Sequence, residues 1–271
     1  MVDSIAVIIS TYNSPDFLRL VLEGYRRQSD FNFSIYIADD GSGEETKALI
    51  ARYQSDFPVP VKHIWHEDRG FRKARIHNIT IGQIDAPYLL LTDGDCVPLP
   101  GMIKAHRSFA KQGHLISGGR VLLSEQWTGM LSRGDAKLHS DASLAEWFLH
   151  RLKNNINRIL PLSVPTHVGR PNRELRGIRG CHISCWLDDL RKINGFDESY
   201  EGWGREDSDL VARLFHAGIC RLDLRGMPVL HLWHREEERG QLNKNDLLLA
   251  ECLNTGRVEA VKGLKQLQEA S

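Results

Sequence analysis

A strand–helix rhythm repeated over the first hundred residues, with a polar cluster closing several of the strands, restricts this chain to few folds. Ile5–Ile9 is a short β-branched run of the kind that forms a strand buried on both faces. Ser14-Pro15 offers an N-cap and a helix-compatible first residue, and Phe17, Leu18, Val21, Leu22 and Tyr25 then recur at helical spacing. The same reading predicts strands at Phe33–Ala38, Val61–His66 and Tyr88–Thr92, and helices over 44–53 and 74–84. Strands joined through helices demand right-handed crossovers, so the fold class is α/β: an open, doubly wound, mostly parallel sheet flanked by helices. Ligands of such sheets gather beyond the carboxyl ends of the strands. Ser10–Asn13, Asp39–Ser42 and Thr92–Asp95 all lie there.

The second half is less regular. Residues 1–100 read as the regular half of one domain, 101–243 as the second half of the same domain, and 244–271 as a peripheral helical tail. Leu144, Trp147, Phe148, Leu152, Ile156, Ile159 and Leu160 keep helical spacing, which predicts one helix over 144–160. It either packs on the domain or touches a membrane surface or lipid-linked acceptor. The stretch 162–179, rich in Pro, Gly and Arg, reads as a loop able to order over a ligand.

The 35 basic and 35 acidic side chains cancel, which gives no support to nucleic acid as a partner. Five cysteines form no paired framework, and Cys181 and Cys185 read as buried thiols rather than metal ligands. No leader and no apolar run of about 20 residues stands in the sequence. The expected location is cytoplasmic, with peripheral contact at the inner membrane face as an option.

Asp93-Gly94-Asp95 directly follows a strand, where two carboxylates can share a hard divalent cation; turns use the same residue types. Gly202-Trp203-Gly204-Arg205-Glu206-Asp207-Ser208-Asp209 puts an acidic cluster before a helix. Such acids can simply cap the helix, or one can take a proton from an attacking hydroxyl. Trp203 offers a face on which a sugar ring can stack. His231 and His234 follow an apolar run and can complete a coordination sphere begun by Asp95, or be structural.

The ordered set Ile8-Ile9-Ser10-Thr11-Tyr12-Asn13, Asp39-Asp40-Gly41-Ser42, Asp93-Gly94-Asp95 and Gly202–Asp207 resembles the family-2 inverting glycosyltransferases of the GT-A fold. Its last segment is similar to the acceptor-side motif of β-1,4-galactosyltransferases and chondroitin-type polymerases. The resemblance implies transfer of a hexose from a nucleotide-sugar donor, UDP favoured, to a glycan or lipid-linked glycan, in surface polysaccharide or lipopolysaccharide synthesis. It implies Mn²⁺ or Mg²⁺ on Asp95, with Asp93 bonding the ribose or approaching the metal and His231 or His234 as a further ligand. Ser10, Tyr12, Asn13 and Asp40 would hold the nucleoside, and Arg72, Lys73 or Arg75 the diphosphate. Asp207 would be the catalytic base, with Glu206, Trp203 and Gly204 orienting the acceptor. Two positions depart from the pattern. His77-Asn78 stands where relatives carry Arg-Asn, and Ser208 where galactosyltransferases carry an acid, which counts against an N-acetylglucosamine acceptor. A non-catalytic nucleotide-sugar-binding module and a nucleotidyltransferase are the alternative readings.

Overall fold

The computed structural model describes residues 2–235 and 239–269. Among them nine strands form one sheet: β1 (Ile5–Thr11), β2 (Phe33–Asp39), β3 (Val61–Trp65), β4 (Tyr88–Asp93), β5 (Cys96–Val97), β6 (His114–Leu122), β7 (His167–Val168), β8 (Ile183–Trp186) and β9 (Cys220–His231). Their order is β3-β2-β1-β4-β8-β6-β9-β5, with β7 on β9. β1 to β4 are mutually parallel, as the alternation predicts, while β8 runs antiparallel between β4 and β6.

Alternate residues of β1 feed two cores. Ile5, Val7 and Ile9 pack with the helix Pro15–Arg26 through Leu18, Val21 and Tyr25. Ala6 and Ile8 pack with Ala74, Ile76 and Ile81 and with Leu210, Val211 and Leu214. Each buried Ile or Leu contributes roughly 1.5–3 kcal/mol, so a strand without a wet face locks its register. That register sets Ser10 beside Asp93 and Thr11 beside Asp39, bringing the three polar clusters to one sheet edge.

Three expectations are corrected. Ser14 occupies the N-cap position but its hydroxyl makes no cap bond, donating instead to Tyr12 O. The helix expected over 74–84 spans Lys73–Ile81 and stops at Gly82. The single helix expected over 144–160 ends at Leu152, because Asn154 adopts a left-handed conformation (φ 55°) and Asn155 N–H turns back to His150 O. Ile156 then drops into the core and bridges Leu123. Leu144, Phe148, Leu149, Leu152 and Leu160 are left exposed.

The tail is helical over Leu242–Thr255 and Leu264–Glu269, but it is anchored rather than merely peripheral. Buried Asn245 donates through Nδ2 to Glu201 O (3.1 Å) and Gly204 O (2.9 Å), while Arg205 pairs with Asp246 at 2.5 Å. Arg257 reaches Asp197 at 2.5 Å and Asp209 at 3.3 Å. Asn245→Ala leaves two carbonyls without donors and is expected to cost about 2 kcal/mol of stability, read from denaturant unfolding. An unchanged midpoint would remove the bracing role.

Candidate active site

Asp93 closes β4, and its Oδ1 accepts from Ser10 Oγ (2.7 Å) and Lys73 Nζ (2.6 Å). Lys73 begins the helix Lys73–Ile81. Burial pulls its pKa down, but Asp93, Glu206 and Asp207 together raise it, so the ammonium stays charged among three carboxylates. Lys73, His77, Gly180, Phe196, Glu206 and Asp207 line one small cleft. The Asp93 and Glu206-Asp207 motifs, more than a hundred residues apart, therefore meet across one lysine.

Asp95 faces the two histidines. Its Oδ2 lies 3.0 Å from His234 Nε2 and 3.5 Å from His231 Nε2, and Cys96 Sγ donates to Oδ1 at 3.1 Å. Burial pushes the Asp95 carboxyl up, but His234 and His231 hold it down at about 2. His231 itself is pushed down by burial despite Asp95, which favours neutral imidazole. His234 Nδ1 lies 2.7 Å from Arg235 O, so that nitrogen carries a hydrogen and Nε2 turns toward the carboxylate. Two lone-pair-bearing atoms at 3.0 Å need a positive charge between them, a proton or a cation. Oxygen and imidazole donors of this kind fit a divalent ion such as Mn²⁺.

Glu206 and Asp207 start the helix Glu206–His216 after Arg205, whose left-handed φ of 79° swings the chain into the cleft. Asp209, one turn in, is fully buried on Arg213 at 2.7 Å and pins the helix. Asp207 Oδ2 accepts from Gly180 N–H (2.8 Å) and Oδ1 from Ser208 N–H (2.6 Å). Glu206 is only partly buried as a residue, yet its Oε2 is sealed from solvent without a partner. Burial, then Asp207, push this carboxyl up to about 7 against the pull of Lys73. A raised folded-state pKa means Glu206 contributes stability that is complete below about 4.5 and lost as pH rises through about 7. Wild type is therefore expected to lose on the order of 2 kcal/mol more than Glu206→Gln between about pH 5 and pH 8. Parallel denaturation curves for the two proteins would contradict the shift.

The remaining candidates divide. Tyr12 is half exposed and donates to Asp68 Oδ2 at 2.9 Å; Asn13 clips the neighbouring loop through Ser42 Oγ and Gly43 N–H. Asp40 is buried and holds His66 Nε2 (2.6 Å) and Arg72 N–H (2.8 Å). Arg72 Nη2 donates to Glu67 O, and Arg75 pairs with Glu198 at 3.0 Å. His77 is buried against Phe196, and burial and Lys73 hold it neutral, so it offers no cation to a phosphate. Trp203 is 39% exposed with the Arg239 guanidinium 5.1 Å above its ring. Gly204 (φ 104°) is held through its carbonyl by Asn245.

Sequence reasoning missed Gly180 as the clamp on Asp207 and Cys96 and Cys181 as neighbours of the acids. The only signal was position, Cys96 directly after Asp95 and Gly180-Cys181 just before β8.

Residues 6–169 match the model of glycosyl transferase family 2. The chain belongs to that family. Residues 162–234 match a further model described as the N-terminal domain of galactosyltransferase, which contains Glu206, Asp207, His231 and His234. This family-2 chain is 20% identical to chondroitin synthase of Escherichia coli over 91% of its length and 36% of that protein's. It is 24% identical to validoxylamine A glucosyltransferase of Streptomyces hygroscopicus subsp. jinggangensis over 79% of its length and 52% of that protein's. The chain thus spans about a third to a half of these relatives. Its fold is that of S. aureus TarS, solved in complex with UDP-GlcNAc: TM-score 0.66, 12% identity, 97% of this chain and 68% of that one. The architecture is the GT-A glycosyltransferase fold.

Proposed function

We propose that this domain is an inverting, metal-dependent hexosyltransferase that moves a sugar from a UDP-sugar to an acceptor hydroxyl in bacterial surface polysaccharide or lipopolysaccharide synthesis. The reading rests most on one observation: Lys73 joins Asp93 to the cleft of Glu206 and Asp207, beside the Asp95–histidine cluster. Relatives named as chondroitin synthase and glucosyltransferase, and a structural neighbour solved with UDP-GlcNAc, support the substrate class.

In this mechanism Ser10, Tyr12, Asn13 and Asp40 border the nucleoside pocket at the sheet edge. Asp95 with His231 or His234 would hold Mn²⁺ or Mg²⁺, which when bound would supply positive charge to a leaving diphosphate. Gly180 and Ser208 N–H groups aim the Asp207 carboxylate while leaving it lone pairs to spare. Asp207 accepts the proton of the acceptor hydroxyl while that oxygen bonds to the anomeric carbon and the carbon–phosphate oxygen bond breaks. One displacement inverts the configuration. Glu206 and Trp203 orient the acceptor. Incubating the protein with a nucleotide-sugar panel, Mn²⁺ and glycan acceptors tests this, with the product anomer read by NMR. A product retaining the donor's configuration, or no nucleotide release from any donor, would overturn it.

Peripheral membrane contact belongs to the same reading. Leu152 and Leu160 are 63% and 69% exposed, and the segment 144–163 that carries them has Arg151, Lys153 and Arg158 against Glu146. An apolar patch on a net-basic segment suits an anionic bilayer. Wild type is expected to co-sediment with anionic liposomes and Phe148→Glu/Leu152→Glu to stay in the supernatant. Equal partitioning of the two proteins would discard the contact.

A further inference from the structure

Two thiols stand directly behind the acidic cluster. The ligand atoms of Asp93, Cys96 and Cys181 lie within 4.8 Å of one another, and those of Asp95, Cys96 and His231 do likewise. Both cysteines are free and buried. Cys96 is held on β5, paired opposite His231 of β9, and Cys181 sits in the turn Gly180–His182 that leads into β8. Neither thiol serves the mechanism above. Ligands around a tetrahedral ion with Zn–S bonds of about 2.3 Å stand about 3.8 Å apart, so this group needs to contract by about an ångström at most.

We propose that Cys96, Cys181 and Asp93 form a capture site for a thiophilic divalent cation, Cd²⁺ or Zn²⁺, whose occupancy silences the enzyme. Thiolate ligands select soft ions, whereas Mg²⁺ and Mn²⁺ stay with oxygen and imidazole, so the two classes of metal sort between adjacent sites. On capture both thiols release their protons to the buffer and two sulfur–metal bonds form. Asp93 turns toward the ion and gives up its bonds to Ser10 and Lys73. The movement of Cys181 drags Gly180, whose N–H aims Asp207. The silencing rests on the hexosyltransferase reading; the binding does not.

The test is titration of the full chain, reduced with a phosphine, with Cd²⁺ while following the ultraviolet sulfur-to-metal charge-transfer band. One equivalent is expected to saturate it, and Mn²⁺ or Mg²⁺ to give none. Cys96→Ser and Cys181→Ser should each weaken Cd²⁺ binding by more than about 100-fold, beyond the loss typical of outer-shell changes, while Cys220→Ser keeps the full band. No band in wild type, or one surviving in both variants, overturns the proposal. Cadmium NMR on wild type needs no variant: a shift typical of two sulfur ligands supports the site and one typical of oxygen ligation alone overturns it. Asp95→Asn separates the two readings, because it should lose Mn²⁺-dependent donor binding and keep the Cd²⁺ band. If Asp95→Asn keeps Mn²⁺-dependent donor binding, the hexosyltransferase metal site fails and the thiol site stands.

Discussion

Asp207→Asn is expected to keep donor binding and lower turnover by roughly 100-fold or more, the usual contribution of a general base. The side chain keeps its size, and one oxygen can still accept from either Gly180 or Ser208. An amide, though, has no basic site for the hydroxyl proton. The other N–H would then face an NH₂ group, a local cost that unfolding measurements on the variant can separate from the kinetic loss. Calorimetry for the donor and single-turnover kinetics for transfer are the two readouts. Turnover near that of wild type would take Asp207 out of the base role, and Glu206, whose carboxyl is pushed up to about 7, would be the next candidate.

Asp95→Ala is expected to abolish the Mn²⁺-dependent part of donor affinity. Removing Asp95 takes away the carboxylate on which His231 and His234 converge, leaving two imidazoles and, as the carboxylate beside them, Asp93, which is tied to Ser10 and Lys73. A diphosphate brought beside Asp93, Glu206 and Asp207 would then meet net negative charge, offset within the cleft by Lys73. The measurement is donor titration by calorimetry with and without Mn²⁺. Equal affinities in wild type and variant, or a metal effect that survives the substitution, would contradict the site.

The parallel half of the sheet was legible because both signals it needs are local. β-branched runs mark strands buried on two faces, and Ser14-Pro15 and Asp39-Asp40-Gly41 punctuate them. The acidic positions were legible for the same reason, each standing beside a periodic segment. Pairings decided by tertiary packing were not. Lys73 reads from the sequence as a diphosphate contact, and its bond to Asp93, twenty residues on, appears only once the helix that starts at Lys73 is packed beside the end of β4. The helix expected over 144–160 failed on one backbone angle at Asn154, which hydrophobic spacing does not encode. A buried relay from Tyr88 through Ser184 and His106 to His182 joins residues from three parts of the chain, and nothing near any one of them announces the others.

The strut that Asn245 and Asp246 place under residues 201–205 bears on how the domain can be cut. Both family matches are complete by residue 234, so a fragment trimmed to them would look whole on paper. Such a fragment would carry every acid and both histidines, yet the stretch presenting Trp203 would lose its bonds to Asn245 and Asp246 and keep the Gly202 N–H bond to Phe71 O to hold it between its ends.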